Sequence, residues 1–190
     1  MMKKHYLSLT VLAFLAIQVS FGQVFQQAPT HAVDAQNTPT ALVIAAQQTG
    51  QAFNRTDLFN LGAAKASAST HPIISQTVND AVLPQLNKQA LSRFIKANPT
   101  SFSLNIPVDQ GSYTLELVQV NVFEPGMKVR TSSMGTLQVD PGLHYRGVIK
   151  GEKGSIAAIS IIGDEVAGIF STPRVPGNFV VGKLRSKALS

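Results

Sequence analysis

The sequence predicts a mainly β fold (α+β) with one short helix, built as an antiparallel β-sandwich or open barrel of about seven strands. From Ser101 onward, short stretches of alternating apolar and polar residues are separated by turns rich in glycine, proline and aspartate. Residues 88–97 carry an apolar stripe with helical spacing. Hydrophobic residues make up 44% of the 190-residue chain, which is enough for one core.

The chain divides into three predicted segments. Lys3 and Lys4 precede an apolar run that ends at Val19, and the small residues Ser20 and Gly22 fit a cleavage site. We therefore expect residues 1–22 to be a signal peptide, and the mature protein to be secreted or extracellular without stable membrane insertion. Residues 23–79 are rich in Ala, Gln and Thr and are expected to be poorly ordered, although residues 41–46 fit a short strand or a helical turn. Residues 80–190 form the predicted β domain.

The predicted helix spans residues 88–97. Asn87 is the expected N-cap, and Leu86 precedes it where a hydrophobic staple to Leu91 can form. Leu91, Phe94 and Ile95 form the stripe that we expect to face the core, and Asn98-Pro99 ends the helix.

The first strands of the β domain follow this helix. Residues 101–107 alternate and end at a proline, and a turn at residues 109–111 leads into the longest predicted strand, residues 113–123. Its apolar face changes near Leu117, which a bulge or burial on both faces explains. Residues 127–131 form another predicted short strand.

Four further strands complete the domain. Residues 143–149 alternate, and glycines at 151 and 154 form a hairpin turn. Residues 155–162 are apolar on both faces, so we expect a central strand that is covered on both sides. Residues 166–171 contain Gly168, which permits close packing, and residues 178–184 form the last strand.

The chemistry of the chain argues against several functional classes. Removing Lys3 and Lys4 with the leader lowers the net charge from +6 to +4 (6 − 2), and the basic residues lack interleaved aromatics, so we expect no nucleic-acid partner. Cysteine is absent, which excludes disulfides and thiolate sites.

No catalytic motif accompanies the histidines of the chain. His31, His71 and His144 are isolated, and the sequence contains neither His-Glu-x-x-His nor Gly-x-Ser-x-Gly. The sequence does not establish whether His144 lies close to Asp140 or Asp164. We therefore predict no catalytic, cofactor-binding or metal-binding residues and no enzyme activity in this chain.

A motif from His144 to Gly182 resembles a known family. It consists of Tyr145-Arg-Gly, a Gly-x-x-Gly-Ser turn from Gly151 to Gly154-Ser155, a strand of small apolar residues, a strand with Gly168, and Gly177-Asn-Phe. Over residues 80–185, this pattern resembles the N-terminal pro-domain of reprolysin (adamalysin)-type secreted bacterial zinc metallopeptidases.

The resemblance implies a non-catalytic pro-domain fragment that assists folding and export and masks a catalytic cleft. Its partner would be a metallopeptidase catalytic domain, in cis or in trans, and zinc is expected only in that domain, which these residues lack. Many pro-domains of the family place a cysteine on the zinc. This sequence has none, so inhibition would act by steric cover or through an oxygen or nitrogen ligand.

A secreted β-sandwich adhesion or carbohydrate-binding module is the alternative. Exposed aromatic side chains clustered on one sheet face would favour it. Aromatic residues make up only 7% of the chain and tryptophan is absent, so this hypothesis ranks second.

Overall fold

The computed structural model describes residues 37–60, 81–109, 111–123, 129–131, 135–137 and 140–184. The elements are α1 (Pro39–Gln48), β1 (Arg55–Thr56), β2 (Phe59–Asn60), β3 (Gln85–Leu86), α2 (Lys88–Ala97), β4 (Ser101–Val108), β5 (Gly111–Gln119), β6 (Val129–Thr131), β7 (Gly135–Leu137), β8 (Leu143–Ile149), β9 (Ile156–Ile162), β10 (Glu165–Thr172) and β11 (Val175–Val181). The prediction of a mainly β chain is confirmed, with two short helices in the described residues where the sequence predicts one.

Seven strands form one sheet in the order β1-β4-β5-β8-β9-β10-β11. Neighbouring strands from β4 to β11 are antiparallel, but β1 runs parallel to β4, so the sheet is mixed. The prediction of a wholly antiparallel sheet is therefore wrong at β1. The parallel pair is possible because the connection from β1 to β4 is a long crossover that contains α2. The order ends at β1 and β11, so the sheet is open. Two small sheets pair β2 with β3 and β6 with β7.

Helix α2 has the bounds that the sequence predicts. The Asn87 side chain accepts a hydrogen bond from the Ala90 amide at 2.9 Å, and Asn98 ends the helix in the left-handed conformation with φ 41°. Phe94 is buried with Leu91, as predicted. The prediction for Ile95 is wrong, because its side chain is 37% exposed. At about 100° per residue, Ile95 lies too far around the helix to face the core with Phe94.

One face of the sheet carries the core. Alternate residues of the antiparallel strands point to this inner face and are buried, namely Phe102, Leu104, Ile106, Leu115, Leu117, Tyr145, Ile149, Ala157, Ile159, Ile161, Val166 and Phe170. Helix α2 covers part of this face, with the Phe94 ring centroid 4.6 Å from that of Phe102 and 5.9 Å from that of Tyr145, both edge to face. Such ring pairs each add about 1 kcal/mol beyond the burial of their area.

Helix α1 lies on the outer face of the sheet, against β5, β8 and β9. Thr38 caps the helix, and Val43 and Ala46 are its buried residues. The Gln47 side-chain amide donates to the buried Glu116 carboxylate at 3.0 Å, which fixes the end of the helix to β5. Residues 37–60 therefore include a helix and two short strands in a stretch for which the sequence predicts loose order.

Strand β5 is buried on both of its faces only at residues 115–117, and no bulge interrupts it. Leu117 points to the inner face while Glu116, 8% exposed, points to the outer face, and the register with β4 continues without a shift. The strand ends at Gln119 and not at residue 123. The last strand also differs from the prediction, since β11 spans Val175–Val181 and not residues 178–184.

Strand β9 is central in the sheet, as predicted, but its cover is incomplete. Helix α1 lies against β9 but leaves Ile156 and Ile162 on the outer face 53% and 54% exposed, whereas Ala158 and Ser160 between them are half-buried. The expectation of burial on both sides is therefore wrong at the two ends of β9.

The residues that form the Tyr-Arg-Gly and Gly-x-x-Gly-Ser motif occupy restricted positions. A Cβ on Gly147 would lie 2.8 Å from the Glu116 carbonyl carbon and 3.0 Å from Leu117 Cα. The Ser155 hydroxyl, which is fully buried, accepts from the Ile149 amide at 2.9 Å and donates to the Glu152 carbonyl at 2.7 Å. Strand β10 approaches β9 closely at Gly168, where a Cβ would meet the Ala158 carbonyl oxygen at 2.5 Å. This confirms the close packing that the sequence predicts there.

The predicted signal peptide, residues 1–22, lies outside the described residues. Within the described ranges, neither helix has the length and apolar character that a membrane span requires.

Candidate functional site

Three aromatic side chains meet on the inner face of the sheet. The Tyr113 ring centroid lies 5.5 Å from that of Phe170 and 5.2 Å from that of Phe179, and the Phe170 and Phe179 rings stack at 4.8 Å. Tyr113 is on β5 and Phe170 on β10, with two strands between them, so a flat sheet would separate these strands by about 14 Å. The contact therefore requires the sheet to curl towards its inner face.

The curl produces an open groove of about 1370 Å³, which we call the aromatic groove. Tyr113, Phe170 and Phe179 lie along its floor. Its walls come from residues 81–84 and 86, from residues 106–109 and 112 at the end of the β4–β5 hairpin, and from residues 175–184 of β11 and the chain that follows it. Sequence reasoning did not find this site, because the three rings come from strands that are distant in the chain.

The rim of the aromatic groove carries charges of both signs in contact with each other. Lys88 Nζ lies 3.5 Å from an Asp164 carboxylate oxygen, and Lys183 Nζ lies 2.9 Å from one of Glu165. Exposed pairs of this kind each contribute about 0 to 1 kcal/mol to stability. In each pair the two charges offset each other without a ligand.

A further ion pair joins two turns at one end of the groove. Arg174 Nη1 lies 3.7 Å from the Glu152 carboxylate, which also accepts a hydrogen bond from the Thr172 hydroxyl. Glu152 belongs to the β8–β9 turn, and the other two residues belong to the β10–β11 hairpin. The groove lining thus has three cations, Lys88, Arg174 and Lys183, and four carboxylates, Asp109, Glu152, Asp164 and Glu165, a net charge of −1 (3 − 4) in a chain of net charge +6.

Strand β11 forms one wall of the groove and one end of the sheet. Within the described residues, it pairs with β10 and has no strand on its other side. It contains no charged residue, and Val180 is 79% exposed. An edge strand of this kind presents backbone donors and acceptors that another strand can use.

His144 lies outside the aromatic groove. Its Nδ1 is 2.9 Å from the Ser160 hydroxyl, and its Nε2 is 2.7 Å from the Pro141 carbonyl oxygen. A carbonyl oxygen can only accept, so a neutral His144 carries its proton on Nε2 and accepts the Ser160 hydroxyl proton at Nδ1. The arrangement fixes the loop before β8 to the strand pair β8–β9.

The carboxylates considered as partners of His144 have other neighbours. Asp140 accepts from the Gly142 amide at 2.9 Å, and Asp164 pairs with Lys88. His31 and His71 lie outside the described residues. The described part of the chain contains no group of three or more His, Asp or Glu side chains placed to hold a metal ion.

Comparison of the chain with models of known families, with curated proteins and with solved structures gives no match. The functional argument therefore rests on the residues and their geometry.

Proposed function

We propose that this chain is a non-catalytic pro-domain fragment of a secreted, reprolysin-type zinc metallopeptidase precursor. It would be exported through residues 1–22, assist the folding of a catalytic domain, and mask its cleft. The observation that carries the proposal is the placement of the motif residues. Gly147, Ser155 and Gly168 lie at positions where the fold tolerates few other residues, so the Tyr-Arg-Gly and Gly-x-x-Gly-Ser pattern fits a specific packing of β8, β9 and β10.

A pro-domain of this composition masks its partner by covering it. The chain has no cysteine, so a thiolate cannot occupy the zinc of the partner. Within the described residues, an open sheet whose β11 edge has no partner strand, with a groove beside it, supplies backbone hydrogen bonds and apolar contacts instead. In this proposal zinc belongs to the catalytic domain, and the present residues contribute no metal ligand.

The finer architecture is part of the same proposal. The ring contacts between β5 and β10 support a sheet that curls towards an open barrel. In that arrangement the concave side holds the core and the aromatic groove, and the β11 edge remains available to a partner.

Inhibition of a peptidase tests the proposed function. Residues 23–190 are titrated against the reprolysin-type zinc peptidase secreted by the same source, with cleavage of a fluorogenic peptide as the readout. We expect an inhibition constant in the nanomolar range, typical of preformed complexes. A Gly147→Val variant, in which the β5–β8 pairing cannot form, serves as the matched control and should not inhibit. Absence of inhibition by the native chain at micromolar concentration would contradict the proposal.

The aromatic groove favours a second candidate, a secreted carbohydrate-binding or adhesion module. Tyr113 and Phe179 are partly exposed on one sheet face, as such a module requires, but Phe170 is only 1% exposed and is part of the core. Sugar rings stack on exposed aromatic faces, so the available area is small. Binding of soluble glycans that is abolished by Tyr113→Ala and retained in Ile162→Ala would support this candidate over the pro-domain.

A further inference from the structure

The two ends of the seven-stranded sheet differ in how they are protected. Strand β1, at one end, has two residues, and the Arg55 side chain in it pairs with Asp57 at 3.0 Å. Short edge strands with charged side chains discourage pairing with other chains. Strand β11, at the other end, has seven residues and no charge. Pro176, near the start of β11, has no amide N–H to donate, so residues 178–181 are the part of β11 that can pair with an added strand.

Both sides of this free segment are apolar. On the inner side, Phe179 lies at the floor of the aromatic groove, where its ring contacts the rings of Tyr113 and Phe170. On the outer side, Val180 stands opposite Ile169, and these side chains are 79% and 44% exposed. A strand that is added beside β11 would therefore place alternate side chains over apolar surface on each face.

The charges beside the edge indicate the chemistry of that strand. Lys183 is paired with Glu165, and Arg174 with Glu152, so the cations on either side of the free segment already have carboxylate partners. A charged incoming side chain would gain little from these pairs and would lose hydration. An uncharged strand with apolar side chains fits the site better.

We infer that residues 178–181 of β11 accept an extended, uncharged peptide segment as an eighth strand, with its inward side chains over the aromatic groove. That the natural segment belongs to a peptidase rests on the proposed function. That β11 accepts a strand does not depend on the proposed function.

The first experiment uses a synthetic probe with residues 23–190. The probe is an acetylated, amidated heptapeptide of alternating threonine and valine, and the control is the same peptide with every amide N-methylated, which cannot pair through its backbone. Binding is followed by amide NMR shifts and by hydrogen–deuterium exchange. We expect the largest shifts and a gain in exchange protection at residues 178–181 with the first peptide, and neither change with the second.

A pair of variants distinguishes binding at the β11 edge from non-specific binding of the peptide. Val180→Lys places a charge beside the incoming strand, whereas Ile44→Lys places the same charge on an exposed position of helix α1, away from the edge. We expect Val180→Lys to raise the Kd of the heptapeptide several-fold and Ile44→Lys to leave it unchanged.

Several results would overturn the inference. These are shifts that fall outside β11, equal binding of the N-methylated peptide, equal binding by Val180→Lys, or no binding at about 1 mM, which corresponds to only about 4 kcal/mol. Protection of residues 178–181 in the free chain, together with a doubled mass in solution, would assign the edge to a second copy and would also overturn it.

The peptidase assay distinguishes this inference from the proposed function. If the native chain and Val180→Lys inhibit the peptidase equally, the pro-domain function stands and the β11 edge is not the surface that it uses. If the heptapeptide pairs with β11 but the chain inhibits no peptidase, the acceptor edge stands and the pro-domain function fails.

Discussion

Replacement of Gly147 by alanine is the strongest test of the sheet. Its Cβ would overlap the Glu116 carbonyl oxygen and would lie 2.8 Å from the carbonyl carbon, whereas two carbon atoms pack at about 3.5 to 4.0 Å, so β5 and β8 would have to separate by more than about 1 Å. Ladder hydrogen bonds of about 2.9 Å would then exceed the length at which they are effective. The loss of two or three such bonds, at about 1 kcal/mol each, with the overpacking itself, predicts a destabilisation of about 4 kcal/mol.

Urea unfolding followed by far-ultraviolet circular dichroism measures this effect. Gly182→Ala is the matched control, because no atom lies within 4 Å of its added Cβ, and it should change the free energy of unfolding by less than about 0.5 kcal/mol. Gly151→Ala isolates the cost of backbone conformation, since Gly151 has open space but a φ of 77°, and should cost about 1 kcal/mol. If Gly147→Ala unfolded within about 1 kcal/mol of the native chain, the close approach of β5 and β8 would be refuted.

Two further predictions concern buried hydroxyl groups. Ser155→Ala leaves the Ile149 amide without its side-chain acceptor and should cost about 1 to 3 kcal/mol in urea unfolding, while the exposed Ser112→Ala should be neutral. Burial raises the pKa of Tyr145 to about 12 from 10.0, so the unfolded chain releases this proton first as the pH rises. This group should therefore leave the free energy of unfolding unchanged below about pH 10 and should lower it by about 2 kcal/mol between about pH 10 and 12. Tyr145→Phe should remove this fall. Equal free energies of unfolding of the two proteins across this alkaline range would contradict the raised pKa of Tyr145.

Local signals explain the parts of the fold that the sequence predicts well. Asn87, as the N-cap, marks the start of helix α2, and Asn98-Pro99 marks its end. Strands β8, β9 and β10 are separated by short turns that contain Gly151, Gly154 and Gly163, so their order and their antiparallel pairing follow from the chain itself.

Long-range packing explains what the sequence does not predict. Helix α1 is apolar on several sides, with Ile44 47% exposed, so its sequence has no clear polar face from which a helix could be inferred. Its position depends on Glu116, a residue 69 positions away that accepts from Gln47. The parallel pairing of β1 with β4 depends in the same way on a distant strand.

The aromatic groove was beyond prediction for a related reason. Alternation assigns Tyr113, Phe170 and Phe179 to a face of their own strands, but only the register of the intervening strands and the curl of the sheet bring the rings together. Edge status is likewise a property of the topology. The pattern of residues 175–181 does not show whether a strand lies on both sides of it.

The link between the two turns bears on how β11 can act as an acceptor. An edge strand gains affinity from a partner only to the extent that it does not have to be ordered on binding. The β10–β11 hairpin is held at its turn, where Thr172 and Arg174 both contact Glu152 of the β8–β9 turn, a carboxylate whose side chain is 12% exposed. At the other end of the strand, Val181 pairs with Gly168 of β10. The segment that is free to pair therefore lies between two fixed points, so a partner strand meets a backbone that is already extended.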